Sequence, residues 1–527
     1  MLQWFVDSPL LTIFFCVGVG AVLGSIRFGP VSFGSAGALF VALALSAIEP
    51  DVAISPLVTS LALCVFCYMV GVAAGPSFLG ALKSGWKIVL VVVTAIVAMA
   101  GVALGVGKAL GFDIGLIAGA FAGTGSSTPA LGAVQQQLAG GGEPPAGPAI
   151  GYAVGYPITV LVTILACSYL MSVGRKRPTA EDKEVVHPII VRTLRMIGNP
   201  KMTVRDLSER YDAVISRLTR NGTTVVAGAK ESLDDGDLVT VTARADEYER
   251  VAEDLGESSD HEPWMDRSDI DFRRITLSNP KYVSRPLSSL GLEERYDAMA
   301  SRVRRGDVDF IATPEFVLQS GDRIRVTAHR SDLKKIAKDL GDSERAAGDI
   351  NAIGLGLGLT IGLLLAFVQI PLPGGGTLTL GTATAPLIAG VVLGAIGRTG
   401  PVVWTLPPGV SNTLNQFALV VFLVGVGTGA GSGLVTALAD EALPLIGLIL
   451  SITLVHALVC VVGLRSVLGL GTANALGGIT GSQLNPAPYA YAMGKVPDQR
   501  LAITYAMLFP VSMILKVLVA QLMIVFF

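Results

Sequence analysis

Charged residues are scarce at both ends of this 527-residue chain. Residues 1–174 hold only 9 Asp, Glu, Lys or Arg residues and residues 350–527 hold 8, whereas residues 175–349 hold 63. The chain is 51% hydrophobic, and its mean hydropathy is +0.61. Long apolar stretches with so few charges exclude an entirely soluble protein. The distribution predicts two membrane blocks that flank one soluble block.

Cysteines and catalytic motifs are also few. The five cysteines all fall in apolar segments, which argues against a disulfide framework or a metal site; Cys64 and Cys67 have the spacing of a redox pair, but we interpret them as packing residues. Residues 175–349 contain no kinase, nucleotide-binding or DNA-binding motif. The net charge of −2 argues against a polyanionic partner, so we expect no nucleic acid to bind. We also expect no enzymatic activity, no cofactor and no metal. The N-terminal stretch MLQWFVDSP lacks basic residues, so we expect no cleaved signal peptide. The cysteines are Cys16, Cys64, Cys67, Cys167 and Cys460.

Apolar runs predict ten membrane-spanning helices, five in each block. They cover residues 9–27, 33–48, 56–75, 86–110 and 149–173, and then 351–369, 381–397, 413–432, 444–468 and 500–526. The blocks also match in sequence. Thr124-Gly125-Ser126 corresponds to Thr480-Gly481-Ser482, and IGYAVGYPITVLVTIL (150–165) corresponds to ITYAMLFPVSMILKVL (503–518). The chain therefore contains an internal repeat.

The two halves are predicted to have opposite orientations, because each has an odd number of spans and the soluble block lies between them. With the N-terminus outside, the loop charges follow the positive-inside rule, and Lys108 is the one clear exception. The basic residues then in the cytoplasm are Arg27, Lys83, Lys87, Arg175, Lys176, Arg177, Arg398, Arg465, Lys495 and Arg500. The acidic residues then outside are Glu49, Asp51, Glu143, Asp440 and Glu441.

The soluble block contains a second repeat. SERYDAVISRLTR (208–220) recurs as EERYDAMASRVRR (293–305), and GDLVTVTA (236–243) recurs as GDRIRVTA (321–328), each 85 residues later. We predict two small α+β cytoplasmic domains at 185–260 and 268–343. They separate an N-terminal membrane half, 1–174, from a C-terminal one, 350–527.

One polar interruption follows the fourth span of each half. AGTGSSTPALG (122–132) and TGSQLNPAPYA (480–490) are rich in Gly, Pro and hydroxyl or amide side chains, and we predict re-entrant hairpins at 115–140 and 471–494. Thr128 before Pro129, and Asn485 before Pro486, are typical of helix starts. Helix N-termini attract anions, so two tips that meet near the midplane predict a site for a small anion. The predicted substrate-binding residues at the tips are Thr124, Gly125, Ser126, Ser127, Thr128, Pro129, Thr480, Gly481, Ser482, Gln483, Asn485 and Pro486.

Three further candidates complete the predicted site, and the sequence leaves their roles open. Lys516, within the last span, either offsets substrate charge or reaches outward to the membrane surface. Tyr152 and Tyr156 either line the site or pack against neighbouring helices. We interpret His456 as a packing residue. No acidic residue lies in the middle of a span, so no carboxylate proton relay is predicted.

At these residues the chain resembles the aspartate:alanine exchanger family of bacterial transporters. The resemblance rests on GTGSSTPALGAVQQ, GSQLNPAP, GYAVGYP and the paired ERYDAVISR and ERYDAMASR segments, and it spans essentially the whole chain. The soluble modules resemble TrkA-C domains. The resemblance implies a homodimeric transporter of the bacterial inner membrane that exchanges amino acids or dicarboxylates by an elevator-like mechanism. One departure is SQLNPAP in the second hairpin, where a sequence closer to TPAL is expected.

We therefore predict an all-α membrane transporter: an inverted repeat of two halves, each with five transmembrane helices and one re-entrant hairpin, with two α+β domains inserted. Its expected partners are a small carboxylate, the lipid bilayer, a second copy of the chain and a small regulatory ligand on the TrkA-C-like domains. An ion channel regulated by these domains is the alternative, because Val154-Gly155-Tyr156 resembles part of a potassium filter. A membrane sensor with a soluble output is a third hypothesis.

Overall fold

The computed structural model describes residues 2–28, 31–32, 34–140, 145–183, 189–198, 201–305, 308–344, 351–371, 377–431 and 442–526. These residues form two compact units. The helical unit comprises Met1–Val185, Ala352–Gly397 and Ser411–Phe527, and the sheet unit comprises Val186–Asn351 and Arg398–Val410. Both membrane blocks therefore contribute to one unit. Glu143, Asp440 and Glu441, which we assigned to outside loops, lie outside the described residues.

The first half of the helical unit follows the predicted pattern of apolar helices, with a helix pair between the last two long ones. Its helices are α1 Gln3–Asp7, α2 Pro9–Ser25, α3 Ala36–Ile48, α4 Pro56–Ser84, α5 Trp86–Ala109, α6 Ile114–Thr124, α7 Thr128–Ala139, α8 Gly147–Lys176 and the short α9 Ala180–Lys183. A two-stranded antiparallel ribbon, β1 Arg27–Phe28 and β2 Val31–Ser32, separates α2 from α3.

The second half has the same order of elements. Its helices are α14 Ala352–Leu365, α15 Gly381–Ile396, α16 Pro408–Thr428, α17 Ala442–Cys460, α18 Thr472–Gln483, α19 Pro486–Lys495 and α20 Gln499–Val525. A ribbon of β12 Gln369–Pro371 and β13 Thr377–Thr379 separates α14 from α15, as β1 and β2 do in the first half. The segment Val461–Val467 continues α17 as a π-helix. The repeated order agrees with the internal repeat seen in the sequence.

All ten predicted apolar runs are helical, but only six helices within the described residues are long and apolar enough to cross a membrane. The six are Pro56–Pro76, Trp86–Ala109, Gly147–Lys176, Pro408–Thr428, Ala442–Val467 and Gln499–Val525. Helices α2, α3, α14 and α15 have 13 to 17 residues. Helices α2 and α14 end before the predicted limits, residues 27 and 369, which lie in strands β1 and β12. The predicted runs 33–48 and 381–397 are themselves only 16 and 17 residues long.

Close packing joins the two halves within the helical unit. Helix α4 of the first half lies against α15 of the second, and a Cβ atom at Gly71 would lie 2.4 Å from the Leu387 carbonyl oxygen. A Cβ atom at Gly390 would likewise lie 2.5 Å from the Tyr68 carbonyl oxygen. Small residues let helix backbones approach where lipid supplies no hydrophobic driving force. The α4–α15 contact therefore depends on these glycines.

The sheet unit contains two antiparallel modules. The first has strands β3 Ile189–Met196, β4 Val214–Arg220, β5 Thr223–Val226, β6 Leu238–Arg244 and β7 Gly256–Ser258, in the order β5-β4-β6-β3-β7, with helices α10 Val204–Tyr211 and α11 Ala245–Leu255. The second has β8 Ile270–Thr276, β9 Met299–Arg305, β10 Val308–Ile311 and β11 Arg323–His329, in the order β10-β9-β11-β8, with α12 Leu292–Tyr296 and α13 Arg330–Leu340. Strands β4, β5 and β6 and helix α11 recur 85 residues later. The ion pair Arg220–Asp237 likewise recurs as Arg305–Asp322.

The loop between α15 and α16 belongs to the sheet unit. Its strands β14 Arg398–Thr399 and β15 Val402–Val403 form a short ribbon. Arg398 donates hydrogen bonds to the carbonyls of Pro280 and Lys281 in the second module, at 2.7 and 3.1 Å. These bonds hold the ribbon to the second module within the sheet unit.

Candidate functional site

The two helix pairs meet at their tips. We call α6 with α7 hairpin 1, and α18 with α19 hairpin 2. The chain reverses through left-handed residues, Ser126 with φ 49° in hairpin 1 and Leu484 with φ 58° in hairpin 2. The Asn485 side-chain amide donates to the Ser126 hydroxyl across the two tips, at 3.2 Å. The predicted meeting of the tips is therefore present in the structure.

The bases of the hairpins lie at opposite ends of α8. Gly147, at the start of α8, lies beside the backbone of Leu116 near the start of hairpin 1. Gly174, near the end of α8, has Thr472, the first residue of hairpin 2, directly beside it. Helix α8 has 30 residues, and at 1.5 Å per residue its length is about 45 Å. The hairpins thus approach each other from the two ends of this long helix.

Helix capping at the tips corrects one prediction. Asn485 caps α19 as expected, because its side chain accepts from the Ala487 N–H at 3.0 Å and Pro486 is the first helical residue. In hairpin 1 the N-cap is Ser127, not Thr128, and its hydroxyl accepts from the Ala130 N–H at 3.3 Å. Ser127 has an extended backbone, which is what a capping residue needs, whereas Thr128 is already helical.

The structure aligns the two tips with an offset that differs by two residues from the offset of the sequence match. The left-handed residues Ser126 and Leu484 are 358 positions apart, and so are the N-caps Ser127 and Asn485. The match of Thr124-Gly125-Ser126 to Thr480-Gly481-Ser482 implied a separation of 356. That match was based on identical residue types, whereas the turn geometry shows which residues occupy equivalent positions in the two tips. The predicted correspondence of these two triplets is therefore wrong by two residues.

Lys516 of α20 lies between the tips. Its side chain is fully buried, and its ammonium donates to the Gly125 carbonyl at 2.7 Å and to the Ser482 carbonyl at 2.5 Å. These carbonyls lie at the C-terminal ends of α6 and α18, where helices carry partial negative charge that favours a cation. Lys516 therefore points into the site and does not extend to a membrane surface. Among the described residues, no carboxylate forms an ion pair with it.

A polar network of α17 and α8 supports the second tip. The Gln483 amide donates to Nδ1 of His456 at 3.1 Å and to the Thr159 hydroxyl at 3.3 Å. The remaining imidazole nitrogen, Nε2, then carries the hydrogen and donates to the Ser482 hydroxyl at 3.0 Å. Thr159 in turn donates to the Thr124 carbonyl of hairpin 1 at 2.9 Å. His456 is thus a neutral, fully bonded residue that orients Ser482 and Gln483.

Other predicted site residues have mixed outcomes. The Thr124 and Thr480 hydroxyls donate to carbonyls of their own helices, at 2.8 and 2.7 Å, so they do not face a ligand. The Tyr152 hydroxyl is buried and lies 2.9 Å from the Thr128 hydroxyl, and the Tyr152 and Tyr156 rings are 6.0 Å apart. Tyr156 also interacts with the Asn485 side chain. Pro129 is buried in the first turn of α7, and Gly481 packs against the backbone of Tyr505.

Two buried polar atoms, one on α18 and one on α20, have no hydrogen-bond partner within the part of the chain that the structure describes. They are the side-chain carbonyl oxygen of Gln483 and the hydroxyl of Ser512. Gln483 and Ser512 are 1% and 0% exposed, and leaving such groups unpaired is costly. Ser512 lies four residues before Lys516 on α20, on the same helix face. An unpaired acceptor and an unpaired hydroxyl beside a buried cation indicate a site for a polar ligand.

Sequence reasoning missed three polar residues that the structure assigns to this region: Thr159, His456 and Ser512. Helical spacing offered a signal for two of them. Thr159 lies three residues after Tyr156, and Ser512 lies four residues before Lys516, so each shares a face with a predicted site residue. For His456 the signal was its position in an apolar span, where an imidazole requires polar partners.

The ion-channel alternative loses the motif that suggested it. Val154-Gly155-Tyr156 lies within the continuous helix α8, whose carbonyls bond within the helix, so it does not form a filter of exposed carbonyls.

The sheet unit contains a cavity of about 460 Å³ lined by both modules. Its lining is largely apolar and includes Ile215, Leu287 and Ile311. The Glu293 carboxylate accepts from the Ala229 N–H at 2.8 Å and so links the modules beside the cavity. The ionisable side chains in the lining are Arg205, Glu209, Asp212, Glu293, Glu294 and Glu315, so acidic groups outnumber basic ones.

Comparisons with known proteins agree with this architecture. A family model of the aspartate:alanine exchanger type, described as a predicted permease membrane region, matches residues 12–172 and 352–525. A TrkA-C domain model matches residues 272–341, which cover most of the second module. An uncharacterised transporter of Geobacter sulfurreducens is 36% identical over 99% of both chains. Uncharacterised transporters of Corynebacterium diphtheriae and Symbiobacterium thermophilum are each 34% identical over 99% of this chain and over 94% and 99% of their own lengths. No solved structure matches the chain.

Proposed function

Because the chain belongs to the aspartate:alanine exchanger family of membrane permeases, we propose that it is a secondary antiporter that exchanges small carboxylates, either amino acids or dicarboxylates. The proposed site lies between the hairpin tips, with Lys516 as the group that binds the substrate carboxylate. Asn485, Gln483, Ser126 and Ser512 contribute the surrounding polar atoms. The transport step involves no catalytic chemistry and no cofactor.

The unmatched charge of Lys516 is the observation that carries this proposal. A buried ammonium loses several kcal/mol of hydration. The C-terminal ends of α6 and α18 return about 0.3–1 kcal/mol each, or up to about 2 kcal/mol in a buried geometry. An ammonium has three donors, and two have partners among the described residues. A substrate carboxylate supplies the missing negative charge and accepts the third hydrogen bond.

The approach of the hairpins from opposite ends of α8 supports an inverted repeat with alternating access. In such a repeat, each hairpin closes the site toward one side of the membrane. The basic ends of α8 and α17 meet at the base of hairpin 2, where Arg465 pairs with Asp182 at 2.9 Å. By the positive-inside rule, this end faces the cytoplasm and the N-terminus faces outside. The proposed setting is the bacterial inner membrane, in a homodimer with an elevator-like movement.

Counterflow in proteoliposomes tests the proposal directly. Vesicles are loaded with one unlabelled carboxylate at a time from a panel of amino and dicarboxylic acids, and uptake of a labelled carboxylate is followed. We expect saturable uptake that requires a carboxylate on the opposite side. An ohmic current that needs no counter-substrate would instead support the ion-channel hypothesis.

The cavity of the sheet unit is the proposed site of a small regulatory ligand. Its apolar walls and excess of acidic side chains favour a cation with an apolar body over an anion. Benzamidine, an apolar ring with a cationic group, should therefore raise the melting temperature of the purified protein more than benzoate does. Glu293→Gln combined with Glu294→Gln should remove that difference. An equal shift with both compounds would contradict the proposed cation preference.

A further inference from the structure

The two hairpins differ in how the N-terminus of their first helix is satisfied. In hairpin 1 the residue before α6 does this itself, because the Asp113 carboxylate accepts from the N–H groups of Gly115 and Leu116 at 2.7 and 3.1 Å. In hairpin 2 the corresponding N-cap of α18 is Gly471, which has no side chain. The free N–H groups of α18 need partners from elsewhere in the chain.

These partners come from α9, which follows α8. The Glu181 carboxylate accepts from the backbone N–H of Gly471 and from the side-chain amide of Asn474. The Asp182 carboxylate accepts from the Thr472 N–H at 2.5 Å. In chain order, α9 is the last described helix before the first strand of the sheet unit, which starts at Ile189. A segment leading toward the sheet unit therefore caps the hairpin that carries Ser482 and Gln483.

Arg465 and Arg500 fasten this segment. Arg465 lies in the π-helical segment Val461–Val467 and is 8% exposed. It donates to the Asp182 carboxylate at 2.9 Å, to the Leu470 carbonyl at 2.7 Å and to the Arg177 carbonyl at 2.6 Å. Arg500, at the start of α20, donates to the Glu181 carbonyl at 2.8 Å. The π-helix widens the last turn of α17, and such turns recur at functional positions.

We propose that Glu181 and Asp182 are positioning residues of the transport site: they supply the missing cap of α18 and thereby set the position of the hairpin 2 tip. Hairpin 1 holds its own cap and is independent of α9. Displacement of α9 removes the cap from hairpin 2 alone, so this contact couples the segment leading to the sheet unit to one of the two hairpins. The link to substrate affinity rests on the proposed function, whereas the capping role does not.

Hydrogen–deuterium exchange of the full-length protein in detergent tests the cap without any substrate. In Glu181→Ala/Asp182→Ala, we expect amide exchange in 472–483 to become about ten- to a hundredfold faster, because charge-assisted hydrogen bonds are lost. Exchange in 114–124 should not change. Asp113→Ala is the matched control and should show the reverse pattern. Unchanged protection of 472–483 in the double variant would overturn the proposal.

Restoring a cap within hairpin 2 separates positioning from general damage. Gly471 has φ −59° and ψ 159°, which any residue can adopt and which suits an N-cap. In the native chain a Cβ atom there would lie 2.8 Å from the Glu181 carboxylate, and that obstacle is gone in the double variant. Gly471→Asp added to the double variant should recover most of the protection of 472–483. No recovery in a monodisperse protein would contradict the capping role.

Transport supplies the second readout. The double variant should raise the substrate concentration at half-saturation of counterflow, and Gly471→Asp should lower it again toward the native value. If exchange protection follows the prediction but no carboxylate is transported, the capping role stands and the proposed function fails. If protection is lost and regained while the half-saturation concentration stays at the native value throughout, α9 does not position the transport site.

Discussion

The hydrogen bond between the tips provides a prediction whose size follows from the structure. Asn485 does two things: its carbonyl oxygen caps α19 and its amide group donates to Ser126. The Asn485 side chain also interacts with Tyr156. Asn485→Ser retains a capping oxygen and loses the bond between hairpins, a net cost of about 0.5–1.5 kcal/mol. Asn485→Ala also loses the cap, a further cost of about 1 kcal/mol. If the substrate binds only when the tips meet, affinity falls roughly two- to twelvefold in the first variant and roughly ten- to seventyfold in the second.

The assay is the half-saturation concentration for counterflow of the carboxylate that exchanges fastest, measured in proteoliposomes. Ser127→Ala is the matched control at the tip, because it removes the cap of α7 and leaves the Asn485–Ser126 bond intact. Thr360→Ala is the background control, because the Thr360 hydroxyl is exposed and donates to the carbonyl of its own helix at Gly356. Native affinity in Asn485→Ser, together with a large loss in Ser127→Ala, would refute the reasoning.

Three further predictions concern the site, the topology and the α9 contact. Tyr152→Phe should lower substrate affinity roughly two- to tenfold at unchanged thermal stability, because it removes a hydroxyl that orients Thr128; equal half-saturation in counterflow would contradict it. A cysteine introduced at Glu49 should react with an impermeant maleimide from outside the cell and one at Arg398 should not; equal labelling of both would reject the inverted topology. Burial alone would raise the pKa of Asp182, but hydrogen bonds from Thr179, Thr472 and Arg465 outweigh it and hold that pKa well below its usual value. The carboxylate therefore stabilises the fold above about pH 4 and loses this contribution only as the pH falls below that; the melting-temperature difference from Asp182→Asn should persist from pH 8 to about pH 5, and its disappearance near pH 6 would contradict the assignment.

Much of the helical architecture could be read from apolar runs and from the repeat. The interruptions at 122–132 and 480–490 lie at the hairpin tips. They could be predicted because a run of Gly, Pro and hydroxyl residues in an apolar segment breaks a membrane helix. The C-terminal ends of α2 and α14 could not be read in this way. The predicted runs reach residues 27 and 369, whereas the helices end at Ser25 and Leu365, because apolar residues continue past each helix up to β1 and β12.

The details of the site depend on contacts that a single sequence does not display. Ser127 and Thr128 are both acceptable N-caps, and the left-handed turn at Ser126 decides between them. Lys516 left two roles open because its direction depends on which helices pack around α20. The network of His456, Gln483 and Thr159 joins α17, α18 and α8. Thr159 and Gln483 are 324 positions apart, and no local sequence pattern relates residues so distant.

The α9 contact is the least accessible to sequence reasoning. Glu181 and Asp182 are two acidic residues in a charged stretch, and Gly471 is one glycine among 62. Their relation appears only when the ends of α8 and α18 are brought together. The contrast with Asp113, which caps hairpin 1 locally, is then visible as a difference between two otherwise similar halves.

Direct binding to a Lys516 variant tests the central claim most closely. Equilibrium binding of the labelled carboxylate is measured on the purified native protein, on Lys516→Met and on Lys87→Met, where Lys87 is an exposed lysine at the start of α5. A charge-assisted hydrogen bond to the substrate contributes about 1.5–3 kcal/mol, so Lys516→Met should bind roughly ten- to a hundredfold more weakly, while Lys87→Met binds as the native chain does. Native carboxylate affinity in a well-folded Lys516→Met protein would contradict the account.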